Sequence, residues 1–574
     1  MLDYLYPTDE RKLFTDREYH LGLLEMCCTE LQANRRKHLA LLGLRRIGKT
    51  LILKEFILRL LHKPTPVEFP PVIPVYLDMQ RAGLSPEFLA RQYVGSVLYW
   101  FRERGHGQAD PYFNPATQLR VVTALGKPQT LDAILRLDQA LQQSHVPQRH
   151  LLEQAFQFPE ILATETDTRF LVILDEFQQL TRLSNYPQVG DALEIFRAIL
   201  QTQSHVAYIV AGSAISLMER IFHHARSPLF VHFRSELVGP FTREDTTQMA
   251  RKALGDQPLS ESLLRTLFAW TYGHPFYVYA VAERMKEMAL LFHRDIGEQV
   301  VGEAFVLETL STTGRIYNLC RYVVEESMAQ ARGQALLRLA LQILAQSPDP
   351  LSLTELSRRL QRSSGVTRNL LNRLAEVDLV VQQDATFDLR DPVLKVWLAY
   401  FHAGVELLAM PRREILEQLV ADVSERFQRV SAELGLAKES QVREIIAAFD
   451  DREVPGELFG QSGTLRLPTF RRVAPFQTHD GQIELDAVAD GEALWVVEIK
   501  WQNRLASRSD LERFRAKVRA AQPHLPLSPE VLWFVAKAGF KDSALRFARQ
   551  HGILHSTQLD LQKLAELLGL RFGK

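Results

Sequence analysis

The sequence predicts a multidomain α/β protein that begins with a parallel β-sheet built around a phosphate-binding loop. Three observations lead to this fold class. Short, almost wholly apolar runs alternate with helical patterns over the first 240 residues, which is typical of a parallel sheet covered on both faces. A glycine-containing loop ends in Gly48-Lys49-Thr50, between the first apolar run and a helix. The chain has 574 residues, and since one hydrophobic core rarely exceeds about 250–300 residues, we expect three or more domains.

Composition and charge exclude several classes of protein. Hydrophobic residues make up 46% of the chain and charged residues 24%, as in ordinary globular proteins and unlike disordered or fibrous chains. No apolar run reaches the roughly 18 residues of a membrane-spanning helix, and the start of the chain lacks the pattern of a secretory signal. The three cysteines, Cys27, Cys28 and Cys320, form no CxxC pair, which indicates a reducing compartment without a zinc ribbon. We therefore expect a cytoplasmic protein with no membrane partner.

The balance of charge bears on nucleic-acid binding. Lys plus Arg and Asp plus Glu both number 68, so the formal net charge is zero. Binding of a polyanion by the whole surface is therefore not expected, although a local basic face is compatible with this balance.

Four strands are predicted in the N-terminal sheet, after a helix that runs from Arg17 to about Ala33. A helix, TLILKEFILRLL, follows the first of them. Residues 105–165 include Pro111, Pro115, Pro128 and Pro147 and are expected to form an irregular insertion with some helix. The predicted strands are LALLGL (39–44), VIPVYLDM (72–79), FLVILDEF (170–177) and HVAYIVAGS (205–213).

The remainder of the chain divides by pattern into four further segments. A helical stretch without clear strands comes first, and three helical patterns followed by LVVQQ and TFDLRD then have the order of a winged helix-turn-helix. A helical connector precedes a last segment that mixes helices with a strand-rich block. The predicted domains are the sheet domain 1–240, a helical lid 241–330, a winged helix 331–402, a connector 403–429 and a C-terminal α/β domain 430–574.

The loop from Gly43 to Thr50 fits the pattern G-x-x-x-x-G-K-[ST] of a P-loop NTPase. Glycines let backbone N–H groups curl around phosphate oxygens, and the helix that follows adds its positive N-terminal end. Lys49 is expected to reach the β- and γ-phosphates, and Thr50 to bind Mg²⁺. The residues expected to touch the nucleotide here are Gly43, Arg45, Arg46, Ile47, Gly48, Lys49, Thr50 and Leu51.

Polar residues at the ends of two later strands complete this predicted site. Asp175 is expected to hold Mg²⁺ through water, and Glu176 to act as the general base on the attacking water. The alternative is an acidic strand end that caps the next helix. Ser213 suits either a contact with the γ-phosphate or the attacking water, or an N-cap for the next helix. Arg234 suits either an arginine that reaches the γ-phosphate, in cis or in trans, or a solvated surface residue.

Five segments together resemble the archaeal-type ATPase family, in the STAND branch of the AAA+ proteins. The resemblance covers roughly residues 10–400 and implies an ATP-binding ATPase core, a helical lid and a winged helix. It also implies that Phe14 and Arg17 pack near the nucleotide and that His274-Pro275 is the lid motif that senses it. The family often has glycine before the arginine matched by Arg234, where this chain has Phe233. The segments are LFTDRE (13–18), GLRRIGKT (43–50), VILDEF (172–177), AGSAISLM (211–218) and YGHPFYV (272–278).

A second constellation, Asp486, Glu498 and Lys500, has the order D-x(11)-E-x-K. Two neighbouring carboxylates can bind Mg²⁺ or Mn²⁺, and a nearby lysine can stabilise the charge that develops in phosphodiester hydrolysis. Glu498 and Lys500 share one face of a strand. A two-residue turn at Asp490-Gly491 would put Asp486 on the opposite face, whereas a three- or five-residue loop, or a bulge, puts all three on one face. The alternative is an amphipathic hairpin with solvated charges.

LAKESQVREII (436–446), followed by these strands, resembles the PD-(D/E)XK nuclease fold, an α/β restriction-endonuclease-like domain that is often fused to such ATPases. The resemblance implies a catalytic role for Glu439, with Glu444 as the rival position. Arginines and lysines after the last strand suit contact with a nucleic-acid backbone, and a solvated basic helix face is the alternative. The residues expected to contact DNA here are Arg513, Arg515 and Lys517.

The third helix of the predicted winged helix is a further candidate for DNA contact. Arg368 and Arg373 lie off an apolar stripe formed by Val366, Leu370 and Leu374. Such a helix can dock in the major groove and contact phosphates. A packing module that serves proteins or intramolecular switching is the alternative.

Taken together, these patterns predict an ATP-driven molecular switch that controls a metal-dependent nuclease-like domain acting on DNA. One rival is an ATP-driven signalling or scaffolding protein whose nuclease-like fold is inactive, and another is an ATP-dependent DNA-binding regulator. The expected ligands and partners are ATP, Mg²⁺ (or Mn²⁺ at the C-terminal site), DNA, and a second copy of the chain or another protein. The placement of the Asp486 and Glu498 carboxylates discriminates between an active and an inactive C-terminal domain.

Overall fold

The computed structural model consists of two compact units. The first comprises Met1–Val301 with Glu376–Asp378, and the second comprises Gly302–Ala375 with Leu379–Lys574. The residues that the structure describes are 6–63, 68–80, 85–143, 148–255, 257, 259–329, 334–383, 385–433, 436–477, 483–501 and 505–570. Within these ranges, the side chains at 9, 292, 329, 383, 426–433, 436–440, 477 and 484 are not described.

A five-stranded parallel sheet forms the core of the first unit, and its strand order is β2-β3-β4-β1-β5. The four strands predicted from apolar runs are all present. β1, β3 and β4 are buried along their whole length, as expected for a sheet covered on both faces. Pro74 lies in β2, which is an edge strand and so tolerates a residue without an N–H group. The strands are β1 Leu39–Leu42, β2 Val72–Asp78, β3 Arg169–Asp175, β4 Val206–Gly212 and β5 Arg234–Leu237.

Helices cover both faces of this sheet, and the segment from 105 to 165 is mostly helical. The expectation of an irregular insertion there was wrong. Pro115 and Pro128 occupy the first turn of their helices, where the missing N–H group would have no partner in any case. Pro159 lies inside a helix. The helices are α1 Thr8–Leu13, α2 Glu18–Gln32, α3 Lys49–His62, α4 Pro86–Glu103, α5 Pro115–Leu125, α6 Pro128–Leu141, α7 Gln148–Thr166, α8 Ala192–Thr202 and α9 Ile215–His223.

The next stretch of the chain is helical, as predicted, and its described residues contain no β-strand. A capping box at Thr242 and Asp245 starts its first helix, and Pro275 starts its third. The helices are α10 Arg243–Leu254, α11 Glu261–Thr271, α12 Pro275–Phe292, α13 Glu298–Leu310 and α14 Arg315–Ala329.

The short segment Glu376–Asp378 packs within the first unit at the N-terminus of α9. The Asp378 carboxylate accepts hydrogen bonds from the Ser216 backbone N–H at 3.0 Å and from the Ser216 hydroxyl at 2.7 Å. Arg220 of the same helix pairs with Glu376 at 3.1 Å. A carboxylate at a helix N-terminus satisfies backbone donors that lack intrahelical partners. Asp378 therefore caps the helix that begins two residues after Ser213.

The second unit contains the predicted winged helix-turn-helix. It contains a three-stranded antiparallel sheet with the order β6-β8-β7, in which β6 lies between the first and second helices and the other two strands follow the third; a fourth helix ends the motif. A buried ion pair between Lys395 and Asp388, at 2.8 Å, ties this last helix to the sheet. The elements are α15 Gln334–Gln346, β6 Leu351–Ser352, α16 Leu353–Leu360, α17 Ser364–Glu376, β7 Val380–Gln383, β8 Thr386–Leu389 and α18 Pro392–His402.

The buried stripe of α17 differs from the predicted one. Thr367 is fully buried, whereas Val366 is exposed. Leu370, Leu371 and Leu374 complete the buried face, so its spacing from Thr367 is i, i+3, i+4 and i+7. The prediction placed the apolar Val366 in this stripe, and the helical spacing gives the position to Thr367 instead.

The C-terminal part of the second unit is an α/β domain around a five-stranded mixed sheet with the order β11-β12-β13-β14-β15. The first two pairs of strands are antiparallel and the last two are parallel. A separate two-stranded pair precedes this sheet. The elements are α19 Arg413–Glu433, α20 Leu436–Ala447, β9 Glu453–Pro455, β10 Thr464–Arg466, β11 Phe470–Gln477, β12 Glu484–Gly491, β13 Leu494–Lys500, α21 Arg508–Ala521, β14 Val531–Ala536, α22 Asp542–Gln550, β15 Ile553–Thr557 and α23 Gln558–Leu567.

Two apolar clusters cover the two faces of this sheet. Trp495 and Val497 of β13 belong to the cluster that includes residues of α20 and α23. Leu494 and Val496 belong to the opposite cluster, which includes residues of α21 and α22. Because side chains alternate along a strand, Glu498 is on the same face as Val496, the face that α21 covers. Nowhere among the described residues does a helix have the length and apolar character needed to cross a bilayer.

Candidate functional site

The predicted phosphate-binding loop connects the end of β1 to the start of α3, and both of its motif glycines are required by geometry. A Cβ atom on Gly43 would lie 2.7 Å from the carbonyl oxygen of Val238. Gly48 has φ +105°, which side chains disfavour, and Arg46 is left-handed at φ 61°. Alternating conformations of this kind turn successive N–H groups inward and make an anion-binding concavity. The loop therefore has the backbone that phosphate binding requires.

Lys49 is buried at the start of α3 and bonds to the loop itself. Its Nζ donates to the carbonyl oxygens of Gly43 at 2.7 Å and Leu44 at 3.0 Å. Burial lowers the pKa of Lys49 to about 8, although the nearby carboxylates of Glu176 and Asp175 oppose that shift. A phosphate group would give this ammonium a charged acceptor in place of two neutral carbonyls.

The two predicted Mg²⁺ ligands of this site meet directly. The Thr50 hydroxyl donates to Asp175 Oδ2 at 2.7 Å, and the hydroxyl of Tyr76 on the neighbouring strand β2 donates to the same oxygen at 3.1 Å. Burial raises the pKa of Asp175, and the hydrogen bond from Thr50 opposes that shift. Hydroxyl and carboxylate oxygens are ligands that Mg²⁺ accepts, so the donor set fits this ion. The sequence analysis did not single out Tyr76, because the pairing of β2 with β3 is not visible in the sequence.

Glu176 is the first residue after β3 and has a left-handed backbone, with φ 54°. Its Oε2 atom accepts hydrogen bonds from the Ser213 hydroxyl, at 2.7 Å, and from the Gln178 side-chain amide. Ser213 thus contacts the predicted general base, and α9 begins after Ala214 without a side-chain cap at that position. The sequence analysis missed Gln178, and the only signal was its spacing of two residues from Glu176.

The first residues of the lid pack on the phosphate-binding loop. His274 Nε2 lies 3.2 Å from the Arg45 carbonyl oxygen, and the imidazole stacks on Tyr277 with ring centres 4.2 Å apart. The Arg46 guanidinium lies 5.5 Å from the centre of the Phe276 ring, a cation–π contact. Pro275 takes the first turn of α12 directly after His274. The structure therefore brings the predicted lid motif to the loop.

Arg17 also reaches this loop. Its guanidinium donates to the carbonyl oxygens of Ile47 at 3.2 Å and Gly239 at 2.9 Å. It also lies 4.7 Å from the centre of the Phe241 ring. Burial lowers the pKa of Arg17. This residue links the segment before α2 to the loop, in keeping with the position that the family resemblance implies for it.

Arg234 lies away from the loop of its own chain. It pairs in register with Leu39 at the start of β1, whereas the loop follows Leu42 at the opposite end of that strand. Three residues of strand separate the two ends, which is about 10 Å. The Arg234 side chain bonds to Glu236 and Tyr19. The expectation of a cis contact with the γ-phosphate is therefore corrected, and only the trans contact stays a prediction.

The β12–β13 hairpin satisfies the geometric condition set for the carboxylate–lysine site. Asp490 pairs with Leu494, so three residues form the turn. Ala487 pairs with Val497, and the described pairing of the two strands ends there. Asp486 comes directly before Ala487, where the pairing of β12 with β11 shifts register between Leu485 and Val488. Asp486 Oδ2 accepts a hydrogen bond from the Ile499 backbone N–H at 2.6 Å. The sequence left the length of this turn open, and the turn has the odd number of residues that the site requires.

Glu498 is only 2% exposed and lies between two lysines. Lys517 Nζ donates to both of its carboxylate oxygens, at 3.1 and 3.2 Å. Lys500 Nζ lies 3.2 Å from Oε1. Lys517 was expected to contact DNA; it pairs with Glu498 while its side chain stays 37% exposed, and the DNA contact stays a prediction. The pairing forms because α21 crosses the face of the sheet on which Glu498 lies, so the helix places a lysine above the strand.

Helix α20 lies beside this site, and the structure describes the side chains of only part of it. Arg443 of α20 donates to the backbone carbonyl of Asp486 at 2.6 Å. The Glu439 side chain lies outside the described residues. Glu444, the alternative position for the helical carboxylate, takes part in a polar interaction with another residue. Over the residues that the structure describes, no group of three or more His, Cys, Asp or Glu side chains could hold a metal ion. Asp486 and Glu498 thus supply the two described carboxylates, both of an oxygen type that suits Mg²⁺ or Mn²⁺.

The basic residues of α21 differ in the charge of the groups around them. Arg513 pairs with Asp510 at 2.7 Å, so part of its charge is neutralised. Arg515 Nη1 lies 3.3 Å from His551 Nε2 on α22. Burial, and then the charges of nearby arginines that include Arg515, lower the pKa of His551. Of the three predicted DNA contacts on this helix, Arg515 is the one that stands in a locally positive setting.

In the winged helix, Arg368 is exposed on α17 and Arg373 is half-buried. Arg358 and Arg359 on the preceding helix both pair with Glu355, at 2.7 and 2.6 Å. Because one carboxylate neutralises only one of these two charges, positive charge remains on α16 as well as on Arg368 and Arg373 of α17.

Comparison with known proteins agrees with parts of this description. Residues 339–384, which span most of the winged helix, match the IclR helix-turn-helix domain. A Walker-type ATPase of Pyrococcus abyssi is 18% identical over 67% of this chain and 96% of that chain, with a TM-score of 0.43. None of the curated proteins matches the sequence.

Two further solved structures are similar. The ORC2 protein of Aeropyrum pernix, in ADPNP–ADP complexes, is 14% identical over 72% of this chain and 93% of that chain, with a TM-score of 0.41. The ORC1 protein of the same organism, in complex with DNA, is 14% identical over 70% of this chain and 97% of that chain, with a TM-score of 0.38. With TM-scores below 0.5, these similarities carry no weight beside the geometry of the chain itself.

Proposed function

We propose that this protein is an ATP-hydrolysing molecular switch that controls a metal-dependent nuclease-like domain acting on DNA. The observation that carries the ATPase half is the hydrogen bond between Thr50 and Asp175. It joins a glycine-containing anion-binding loop to the acidic end of the adjacent strand, and these are the parts of a Mg²⁺–nucleoside triphosphate site. The nucleotide base is assigned as adenine from the family resemblance.

Each residue of the site has a role in hydrolysis. Loop N–H groups and Lys49 hold the phosphates, while Thr50 and Asp175 would hold Mg²⁺. Mg²⁺, when bound, neutralises charge that develops on the phosphate oxygens. Glu176 accepts a proton from water as the water oxygen forms a bond to the γ-phosphorus. The bond from that phosphorus to the bridging oxygen breaks, and ADP and phosphate are released.

The STAND assignment adds a lid that senses nucleotide. His274 and Phe276 contact the carbonyl of Arg45 and the guanidinium of Arg46. Phosphates that enter the loop would change the positions of those two residues, and α12 would move with them. This supports a role for α10–α12 as the element that transmits the state of the nucleotide.

The nuclease half rests on Glu498 and Lys500, which lie two residues apart on β13, and on Asp486 of β12, which accepts a hydrogen bond from the Ile499 backbone between them. The two carboxylates would hold Mg²⁺ or Mn²⁺, and Lys500 would stabilise the charge on the phosphorane. Position 439 precedes Arg443 by one helical turn, and Arg443 reaches the backbone of Asp486. This supports Glu439 over Glu444 as the third carboxylate, because residues four apart share a helix face.

A specific observation favours a second candidate, in which the C-terminal domain binds DNA without cleaving it. Both oxygens of Glu498 bond to Lys517, and Asp486 Oδ2 bonds to a backbone N–H. Lysine ammonium groups so close to a carboxylate neutralise the charge that would attract a metal ion. In this candidate the chain is an ATP-dependent DNA-binding regulator or scaffold.

ATP turnover tests the first half of the proposal. The wild-type chain should hydrolyse ATP in the presence of Mg²⁺, and Lys49→Ala should bind nucleotide weakly. Glu176→Gln should bind ATP but hydrolyse it on the order of 10²–10⁴-fold more slowly, as expected for loss of a general base. Wild-type turnover in Glu176→Gln would contradict the assignment of the base.

DNA cleavage tests the second half. The full chain is incubated with DNA and Mg²⁺ or Mn²⁺, with and without ATP, beside Lys500→Ala. Lys563→Ala is the control, because Lys563 is an exposed residue of α23. Cleavage that Lys500→Ala abolishes and the control retains supports the nuclease. DNA binding without cleavage, under every condition, supports the second candidate.

A further inference from the structure

We infer that Gln178 is a positioning residue for ATP hydrolysis, which fixes the carboxylate of Glu176 through one oxygen and leaves the other for the attacking water. The inference rests on the proposed ATPase function and deepens it.

The first observation is that two side-chain donors bond to the same carboxylate oxygen of Glu176. Oε2 accepts from both the Gln178 amide and the Ser213 hydroxyl. Gln178 Nε2 also lies 3.4 Å from Ser213 Oγ, so the three side chains form a closed triangle. Within the described part of the chain, no side-chain donor bonds to Oε1. A general base that is anchored through one oxygen presents the other in a fixed direction, and a fixed direction is what proton transfer from water requires.

The second observation is that Gln178 is itself held firmly. Its side chain is 6% exposed, and it belongs to the 3₁₀ helix Phe177–Asn185 that follows Glu176. The neighbouring Phe177 is fully buried and stacks on Phe222 with ring centres 5.8 Å apart. The Thr181 hydroxyl donates to the Gln178 carbonyl at 2.8 Å. A residue anchored on both sides can hold the carboxylate without much further loss of entropy.

The third observation is the space that the adjacent strand leaves for the amide. A Cβ atom on Gly212 would lie 2.6 Å from Gln178 Oε1 and equally close to Met218 Sδ. Glycine at this last position of β4 therefore makes room for the carboxamide. Gln178 Oε1 has no hydrogen-bond partner although it is buried. The hydrogen bonds of this amide therefore come from its donor, Nε2, which bonds to Glu176.

The left-handed backbone of Glu176 is consistent with this arrangement. Its φ of 54° is unusual for a residue with a side chain. This turn points the side chain back toward the end of β4, where Gly212 and Ser213 lie. Glu176, Gln178 and Ser213 thus form one unit, in which Gln178 acts through Glu176 and has no contact of its own with substrate.

The test compares variants of Gln178 in the full chain. Gln178→Met keeps the length of the side chain but cannot donate, and Gln178→Asn keeps the amide but shortens the reach. Both should lower kcat for ATP hydrolysis by about ten- to hundredfold, the range expected for a hydrogen bond to a charged group. The dissociation constant for ATP, measured with a fluorescent nucleotide analogue, should change less than about threefold. Gln179→Met, at the half-buried neighbouring position, should behave as wild type.

A double mutant separates positioning from a purely structural role. In a Glu176→Gln background, Gln178→Met should cause no further loss of the residual rate, because the group that it positions is already absent. An additive loss, a rise in kcat, or wild-type turnover in both Gln178 variants would each overturn the inference. If the wild-type chain shows no turnover above Lys49→Ala, the proposed ATPase function fails before this question arises.

Discussion

Lys49 Nζ donates a hydrogen bond of 2.7 Å to the carbonyl oxygen of Gly43, six residues earlier in the chain. Lys49, the residue expected to bind the phosphates, thus closes the loop by a hydrogen bond to its first residue. Binding of a triphosphate must exchange this neutral acceptor for a charged one, and the exchange has a consequence for pH dependence.

ATP affinity should fall as the pH rises above about 8, the pKa to which burial lowers Lys49. Bound phosphates favour the ammonium form, so the pKa of Lys49 rises on binding and the complex takes up a proton. Between the two pKa values, the association constant should fall by about tenfold per pH unit. Calorimetric titrations from one unit below to two units above that pKa measure this slope. Lys49→Arg, which keeps its charge, should show a much flatter profile, and an equally flat wild-type profile would contradict the expectation.

Gly43→Ala should abolish tight ATP binding, because the new Cβ would lie 2.7 Å from the Val238 backbone oxygen and would displace the loop. Gly22→Ala is the matched control. Gly22 lies within α2 with open space around it, so alanine there should stabilise the fold by about 0.5–1 kcal/mol and leave ATP binding unchanged. Thermal unfolding and nucleotide titration of both variants decide the matter. Equal ATP affinity in Gly43→Ala and wild type would show that the loop is not held by this contact.

At the C-terminal site, Lys517→Met should increase affinity for Mn²⁺, since the ion no longer competes with an ammonium group for Glu498. A hydrogen bond between charged groups is worth about 1.5–3 kcal/mol, so the gain should be roughly tenfold or more. The measurement is a Mn²⁺ titration of the full chain without nucleotide, in a Lys49→Ala background that weakens the other site. Arg513→Met, which removes a pairing with Asp510 instead, is the control. Unchanged binding in Lys517→Met would mean that the ion does not use Glu498.

If the winged helix contacts DNA, Arg368→Ala and Arg373→Ala should each weaken binding and lower the slope of log affinity against log salt by about 1. Fluorescence anisotropy at several salt concentrations gives both quantities. Arg413→Ala is a suitable control, because Arg413 lies on α19, outside the winged helix, and pairs there with Glu417. A slope that neither arginine changes would place the DNA contact elsewhere, and Arg515 is then the next residue to replace.

The sequence was most informative where the residues of a site are consecutive in the chain or directly follow a predicted strand. Gly43, Gly48 and Lys49 are consecutive parts of one loop, and Asp175 follows an apolar strand, so a strand–loop–helix pattern was enough to place them. The relation between Asp486 and Glu498 depends on the length of a turn, which the sequence left open. The proline-rich segment before α7 was misinterpreted because proline breaks a helix in its interior but is accepted in its first turn.

The residues that the sequence analysis missed or misplaced depend on pairings between distant segments. Lys517 meets Glu498 only because α21 packs on one particular face of the sheet, and Tyr76 meets Asp175 only because β2 pairs with β3. Arg234 was misplaced for the same reason, since its position along β5 follows from its register with β1. Strand order and register are properties of the folded chain, and no local spacing encodes them.

The central claim is that nucleotide state controls the C-terminal domain, and one measurement tests it most directly. DNA cleavage and DNA affinity of the full chain are measured with and without ATP, beside Lys49→Ala. The account predicts that ATP changes at least one of these quantities by about 5–150-fold, the usual range of coupling between distinct sites, and that Lys49→Ala abolishes the change. Identical cleavage and affinity with and without ATP, in a wild-type chain that demonstrably binds the nucleotide, would contradict the account.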